Sequence, residues 1–407
     1  MVGQTPELSE RSRSDAPPER RRGLSSSHVC AQRGTNMKQP RIGGLDALRG
    51  LAALAVFICH AAAYWGGLGL PRLVSSATQV GAHGVDVFIV LSGFVLTLPL
   101  VARGRSLNVG QFYGRRMWRI LPAYWTALAI AAVLALGPAW DLVVAERASV
   151  RDLLLHIFAI QTVFPSNLGA INGSLWSVSL EILLYLLFPL LIVLLHRVGG
   201  TVLVLAAIAL SFSTWWVGSQ LSSGNAVDAF FSSSHTLPIR LVQFVMGMVL
   251  AMVLMRPGST ALDPTHRNRT LAMLAAGATT LAAVAASTLD VPPGINLTLW
   301  GICGAALVWL FALFAQSPVV RTLDKAGTRS YSFYLMHQPI VLLMWPIIAV
   351  LPGNPVVVLL YGGVVALVIV SCAAEALYRL VERPSHRYAV RRFPHVVRRA
   401  DEPVPHP

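Results

Sequence analysis

The sequence predicts an all-α polytopic membrane protein with about ten transmembrane helices, and three observations carry the prediction. Apolar runs of about 20 residues, the length needed to cross a bilayer, recur along most of the chain. Of the 407 residues, 55% are hydrophobic and only 12% charged, and the mean hydropathy is +0.62, which excludes an ordinary soluble domain. The basic residues also partition. With the N-terminus drawn in the cytoplasm, all of the 32 Lys and Arg except Arg72, Arg147, Arg151 and Arg240 fall in cytoplasmic segments. That is positive-inside topology, with both termini cytoplasmic and the chain multi-pass in the plasma (cell inner) membrane.

The spans are drawn at 45–65, 81–101, 118–137, 173–195, 200–218, 238–255, 270–289, 297–316, 330–351 and 355–378. Residues 1–36 are rich in Ser, Arg, Glu and Pro, lack any apolar pattern and contain no signal-peptide core, so they read as a disordered basic tail. Met37 directly precedes the patterned sequence, so Met1 and Met37 both stand as candidate native starts. The membrane domain is expected over 37–388, followed by a basic, Pro-containing tail at 389–407. The longest outer segment, 138–172, carries VRDLLLHIFAIQTVF, which is too short to span and is expected at the interface or re-entrant.

Charge and cysteine content narrow the function classes. The net charge of +14 faces anionic lipid in this topology, so no nucleic-acid partner is expected. Cys30, Cys59, Cys303 and Cys372 form no CxxC and no metal-like pairing with a nearby His, so neither a disulfide framework nor a metal site is expected. Cys59 adjoins His60 but points about 100° away on a helix, which suits packing.

Ionisable groups inside the spans are functional candidates, because each costs about 2.5–3.5 kcal/mol at a helix centre. In span 1, eleven residues separate Arg49 from His60, three turns plus about 20°, so both share one face about 16 Å apart. Asp46 lies one turn below Arg49. A neutral imidazole at His60 suits general-base chemistry near neutrality. Asp86, at the start of span 2, enters at a similar depth and is expected to orient it. Ser92 and Gly93 form a small patch allowing close helix approach. The run QFYGRRMWRILP sets Arg115, Arg116 and Arg119 at the basic end of span 3 with aromatics beside them, suited to phosphate and purine binding as well as to ordinary positive-inside charge. Glu181 sits deep in span 4 below Trp176 and Ser177, and Arg240 is one partner it can have. His337 lies near Tyr331 and Tyr334 in span 9. Glu382, among arginines, reads as a salt-bridge partner at the inner surface.

In order, Arg49-x10-His60, GVDVFIVLSGF, RRMWRILP, WSVSLEILLY, RLVQFVMG, SYSFYLMHQP and VERP resemble the membrane-bound acyltransferase-3 family over residues 41–384. Span 2 reads FIV where many relatives carry two phenylalanines, and the C-terminal hydrolase-like domain of many relatives is not present in this sequence. The resemblance implies an O-acyltransferase. Its donor would be acetyl-CoA or another acyl-CoA, a substrate, with no cofactor bound permanently. The acceptor would be a hydroxyl of a carbohydrate or cell-surface glycan. It implies His60 as the essential base and Arg116 and Arg119 as the donor-binding pair. With the residue reading, the expected catalytic set is His60, Asp86 and Glu181. The donor set is Arg49, Arg115, Arg116 and Arg119. The acceptor set is Trp176, Ser177, Arg240, Tyr331 and His337. Direct transfer and an acyl-imidazole intermediate both stay open. So do two other functions, a multi-span solute transporter and an O-acyltransferase acting on a secreted small molecule such as a macrolide. The transporter class is disfavoured by the lack of an evident inverted repeat.

Overall fold

The computed structural model describes residues 42–102, 107–135, 148–221, 226–289 and 291–394, and every regular element among them is helical. The expected N-terminal tail, Met37 and the end of the C-terminal tail lie outside the described residues.

Helix α1 (Leu45–Tyr64) begins at Gly44, where a φ of 84° turns the chain in a way glycine tolerates best. Its first-turn amides are capped from far along the sequence. The N–H groups of Gly44 and Ala47 donate to the Asp324 carboxylate at 3.1 and 2.8 Å, and negative charge suits a helix N-terminus. Short, amphipathic α2 (Arg72–Gln79) leads to α3 (Gly84–Val101) and then α4 (Val109–Ala135).

Helix α5 (Val150–Ile157) occupies the long outer segment and is only eight residues long. Ser149 and Asp152 start it with a reciprocal capping box. Burial alone would raise the Asp152 pKa, but hydrogen bonds from the Ser149 hydroxyl and amide and from Asn167 outweigh it and hold the carboxyl below its ordinary value. Tyr124 of α4 donates to the His156 carbonyl at 2.6 Å, which fastens this segment onto the bundle.

Helix α6 (Trp176–Gln220) is continuous in pairing but broken at Gly199, whose φ of 81° and ψ of 163° are not helical. It therefore supplies two successive spans. Helices α7 (Ala226–Ser232), α8 (Leu237–Leu254), α9 (His266–Thr288), α10 (Pro293–Leu313), α11 (Pro318–Gly327), α12 (Ser330–Ile348) and α13 (Pro355–Leu377) follow. A π-helical turn (Tyr378–Glu382) then joins α13 to α14 (Arg383–Arg392). Prolines stand in the first turn of α8, α10, α11 and α13, where their missing N–H is harmless.

Among the described residues, eight helical segments are long and apolar enough to cross a membrane. One of them is the two-span α6, and α12 falls outside that set because its first half, SYSFYLMHQ, is polar. Each of the ten expected spans thus has a helix. Many large side chains facing outward along the spans are apolar, for example Leu281, Leu360 and Val364, while Asp86, Gln243, Ser332 and His337 are buried within. That inverted polarity is what a lipid solvent selects. The seam between α3 and α8 is closed by reciprocal glycines: a Cβ on Gly93 would strike the Phe244 carbonyl, and one on Gly247 the Val90 carbonyl.

Candidate active site

Two features adjoin at Tyr334. The first is a cavity at the basic end. Arg49, Arg116 and Arg119 line it together with Ser92, Glu181 and Glu382. Arg49 is paired with Asp46 at 2.9 Å, one turn away on α1. The Arg116 guanidinium lies over the rings of Tyr185 and Phe112, 5.5 and 6.0 Å from their centres. Glu181 is satisfied by hydroxyls. Ser92 Oγ donates to its Oε1 at 2.8 Å, and Tyr185 donates to the same oxygen. Tyr334 and Ser177 close the far end, held there because Ser177 Oγ donates to Tyr334 Oη at 2.8 Å and Tyr334 donates to the Ser174 carbonyl at 3.0 Å.

The second feature lies against that closure. The Tyr334 ring packs on the ring of His337, 5.2 Å between centres. His337 Nε2 meets His60 Nδ1 at 2.7 Å, and His337 Nδ1 meets the Tyr334 carbonyl oxygen at 2.5 Å. A carbonyl only accepts, so Nδ1 of His337 carries its proton. In a neutral pair, Nε2 of His337 must then accept from Nδ1–H of His60. The chain of bonds leaves one unfilled function, the lone pair on His60 Nε2. His337 is fully buried, whereas His60 is partly exposed. A base with its second ring nitrogen held by an acceptor is the arrangement that general-base chemistry needs.

A profile described as an acyltransferase domain (Acyl_transf_3) matches residues 42–375. The chain belongs to the acyltransferase-3 family. It is similar to the acyltransferase MdmB of Streptomyces mycarofaciens, at 27% identity over 73% of this chain and 78% of that one. It is also similar to the O-acetyltransferase OatA of Staphylococcus aureus (strain NCTC 8325 / PS 47), at 24% identity over 88% of this chain. A third relative is YrhL of Bacillus subtilis (strain 168), a candidate peptidoglycan O-acetyltransferase, at 25% identity over 86% of this chain. The match spans 59% of OatA and 56% of YrhL. No solved structure matches. Family membership and the apolar helices make this protein a multi-pass membrane O-acyltransferase.

In this acyltransferase the expected site residues divide into groups. Arg49, Arg116, Arg119, Glu181, Ser177 and Tyr331 line the cavity, whereas Arg115 is not among its lining residues and leaves Nη1 buried without a hydrogen bond. Ser177 and Tyr331, expected on the acceptor side, thus stand in the compartment of the arginines. His337 is the direct partner of His60. Asp86, expected to orient His60, is engaged elsewhere: one oxygen accepts from His83 Nδ1 at 2.6 Å and the other from Arg240. Arg240 therefore serves Asp86 and not Glu181, and pairing offsets the cost of burying the two charges. Arg240 also lies over Trp176, 5.3 Å from the ring centre, which assigns Trp176 to this cluster. Glu382 corrects another expectation. It is buried at the end of the π turn, accepts from Ser332 Oγ at 2.5 Å and lines the cavity. No local pattern marks it, since π turns have no strong sequence signature, though they recur at functional sites.

Proposed function

We propose that this protein moves an acyl group, acetyl in the simplest case, from acyl-CoA to a hydroxyl of a carbohydrate or cell-surface glycan, with His60 as general base. One observation carries the reading: an arginine-lined cavity is closed by Tyr334, and behind that ring stands a histidine pair whose bonding frees His60 Nε2. Arg49, Arg116 and Arg119 offer planar donors for the CoA phosphates, and the rings of Phe112 and Tyr185 add a surface for stacking. The donor's arm then rises along α1, about 16 Å from Arg49 to His60 by helix rise. The Tyr334 ring must swing aside for the thioester to reach the base. The acceptor approaches from the other end of the bundle, the outer face in the positive-inside orientation.

In the transfer step the acceptor O–H gives its proton to His60 Nε2 as its oxygen attacks the thioester carbonyl. The His60 Nδ1–H bond to His337 stabilises the imidazolium that forms. Collapse of the tetrahedral adduct breaks the C–S bond, and the thiolate of CoA leaves with the proton from Nε2. The product is an ester, and the imidazole returns to neutral. The name of OatA supports transfer of an acetyl group to oxygen, and that of YrhL a glycan, peptidoglycan, as the acceptor class. MdmB, named only as an acyltransferase, keeps a secreted small-molecule acceptor as the second reading.

The test uses purified protein in nanodiscs, with isotope-labelled acetyl-CoA and a panel of glycan fragments and small alcohols, followed by mass spectrometry. Free CoA should appear in step with a labelled ester. Solute movement across liposomes without CoA release would instead favour a transporter.

A further inference from the structure

One turn beyond His60 on α1 stands Tyr64, its ring centre 5.5 Å from that of the imidazole. Gln338, next in sequence to His337 on α12, donates Nε2–H to Tyr64 Oη at 2.5 Å. Gln338 is 3% exposed, and its Oε1 is buried without a hydrogen-bond partner. The amide has little freedom to turn away. Gly173 abuts it so closely that a Cβ there would lie 2.8 Å from Nε2. Tyr64 accepts from Gln338, and among the described residues nothing accepts the phenolic proton. A buried acceptor left empty is costly, and such a group needs a reason.

Three unfilled functions therefore cluster within one helical turn: the lone pair of His60 Nε2, the O–H of Tyr64 and the carbonyl of Gln338. Each matches one demand of acyl transfer to an alcohol. Nε2 takes the proton of the attacking hydroxyl. The adduct that follows carries an oxyanion, which needs a donor fixed beforehand. An acceptor bearing a neighbouring hydroxyl has an O–H to offer a buried carbonyl.

Resting on the acyl-transfer reading above, we propose that Tyr64 is the oxyanion donor of this enzyme, held by Gln338, whose Oε1 takes a second hydroxyl of the acceptor. The substrate class is then a polyol with adjacent hydroxyls, such as a pyranoside, over a lone alcohol. Gln338 holds Tyr64 through Nε2 and touches the acceptor through Oε1, so its loss alters both kcat and acceptor discrimination, whereas loss of the Tyr64 hydroxyl alters kcat alone. Tyr64→Phe keeps the ring and removes the donor of the transition state. Gln338→Met keeps the volume and removes both the hold on Tyr64 and the recognition of the second hydroxyl.

The experiment measures initial rates in nanodiscs with acetyl-CoA and two acceptors, a methyl pyranoside with vicinal hydroxyls and its singly deoxygenated counterpart. Donor affinity and thermal midpoint are recorded for each variant to confirm folding. Tyr64→Phe should lower kcat roughly 100- to 1000-fold, the loss typical of one oxyanion donor, with acceptor KM and donor affinity near the wild type. Gln338→Met should lower kcat by less than Tyr64→Phe does, raise the acceptor KM and abolish the preference for the vicinal diol over its deoxy counterpart. Wild-type kcat in Tyr64→Phe, or an unchanged diol preference in Gln338→Met, would overturn the inference alone while the wild type still transfers. If the wild type transfers to neither acceptor nor to any other alcohol, the underlying reading falls and takes this one with it.

Discussion

Asp86 and Glu181 look alike in the sequence, as isolated carboxylates in apolar helices, yet the structure treats them in opposite ways. Asp86 is clamped by a cation and an imidazole: Arg240 on one oxygen and His83 on the other, with the His83 ring stacked on Trp300 at 4.0 Å. Among the described residues Glu181 accepts hydrogen bonds from the hydroxyls of Ser92 and Tyr185, and it opens onto the cavity of the arginines. A carboxylate consumed by an ion pair between helices holds the bundle together. One satisfied by hydroxyls beside open space stays within reach of whatever enters that space. Partner type, more than burial, separates a structural acid from a working one.

The sharpest way to break that distinction is to remove each carboxylate. Asp86→Ala leaves Arg240 buried and unpaired, so it should destabilise the protein by about 3–5 kcal/mol, seen as a large drop in thermal midpoint and in membrane abundance. Glu181→Gln should keep the fold near wild-type stability and lose acyl transfer. Equal stability losses in the two variants would show that the carboxylates play one role. Next in size is the donor site. Arg116→Gln and Arg119→Gln should weaken acyl-CoA binding by at least about tenfold each, about 1.4 kcal/mol. Arg115→Gln, whose side chain is not part of the cavity lining, should change it far less by titration calorimetry. A reversed order would put the donor elsewhere.

The fold was legible because hydropathy and helix period act locally. Each drawn span has its helix, the halves of α6 part at a glycine, and the Arg49–His60 face is a consequence of 3.6 residues per turn. The Ser92–Gly93 patch was also readable, since small residues permit close approach wherever they meet a partner. What stayed hidden lies between distant segments. Nothing near His60 announces His337, and nothing near Gly44 announces Asp324. The sequence placed Asp86 beside His60 by depth alone, and depth says nothing about which way a side chain faces around the helix. From sequence alone Arg240 suits either acid, and only tertiary packing decides between the two. Glu382 entered the cavity through a π turn that its sequence does not advertise.

Two smaller effects sharpen the contrast between ends of the bundle. Asp324→Ala uncaps α1 below Arg49 and should cost about 1 kcal/mol, read from the thermal midpoint or from faster amide exchange at Gly44 and Ala47. At the other end, Asp152 caps α5 as a carboxylate held below its ordinary pKa by the Ser149 and Asn167 hydrogen bonds, which outweigh burial. A depressed folded pKa gives stability that is present above the unfolded value, about 3.9, and lost as pH falls through the lower folded value. Amide protection around α5 should therefore be full near neutrality and fade below about pH 4. Asp152→Asn should remove that pH dependence. Exchange that is flat with pH in the wild type would contradict the assignment.

The central claim is that His60, with its tautomer set by His337, is the base of acyl transfer. The most direct measurement is single-turnover transfer from labelled acetyl-CoA by His60→Ala in nanodiscs, alongside its donor affinity and thermal midpoint. The account predicts a folded protein that binds the donor like the wild type and forms no ester. Ester formation at the wild-type rate would contradict it.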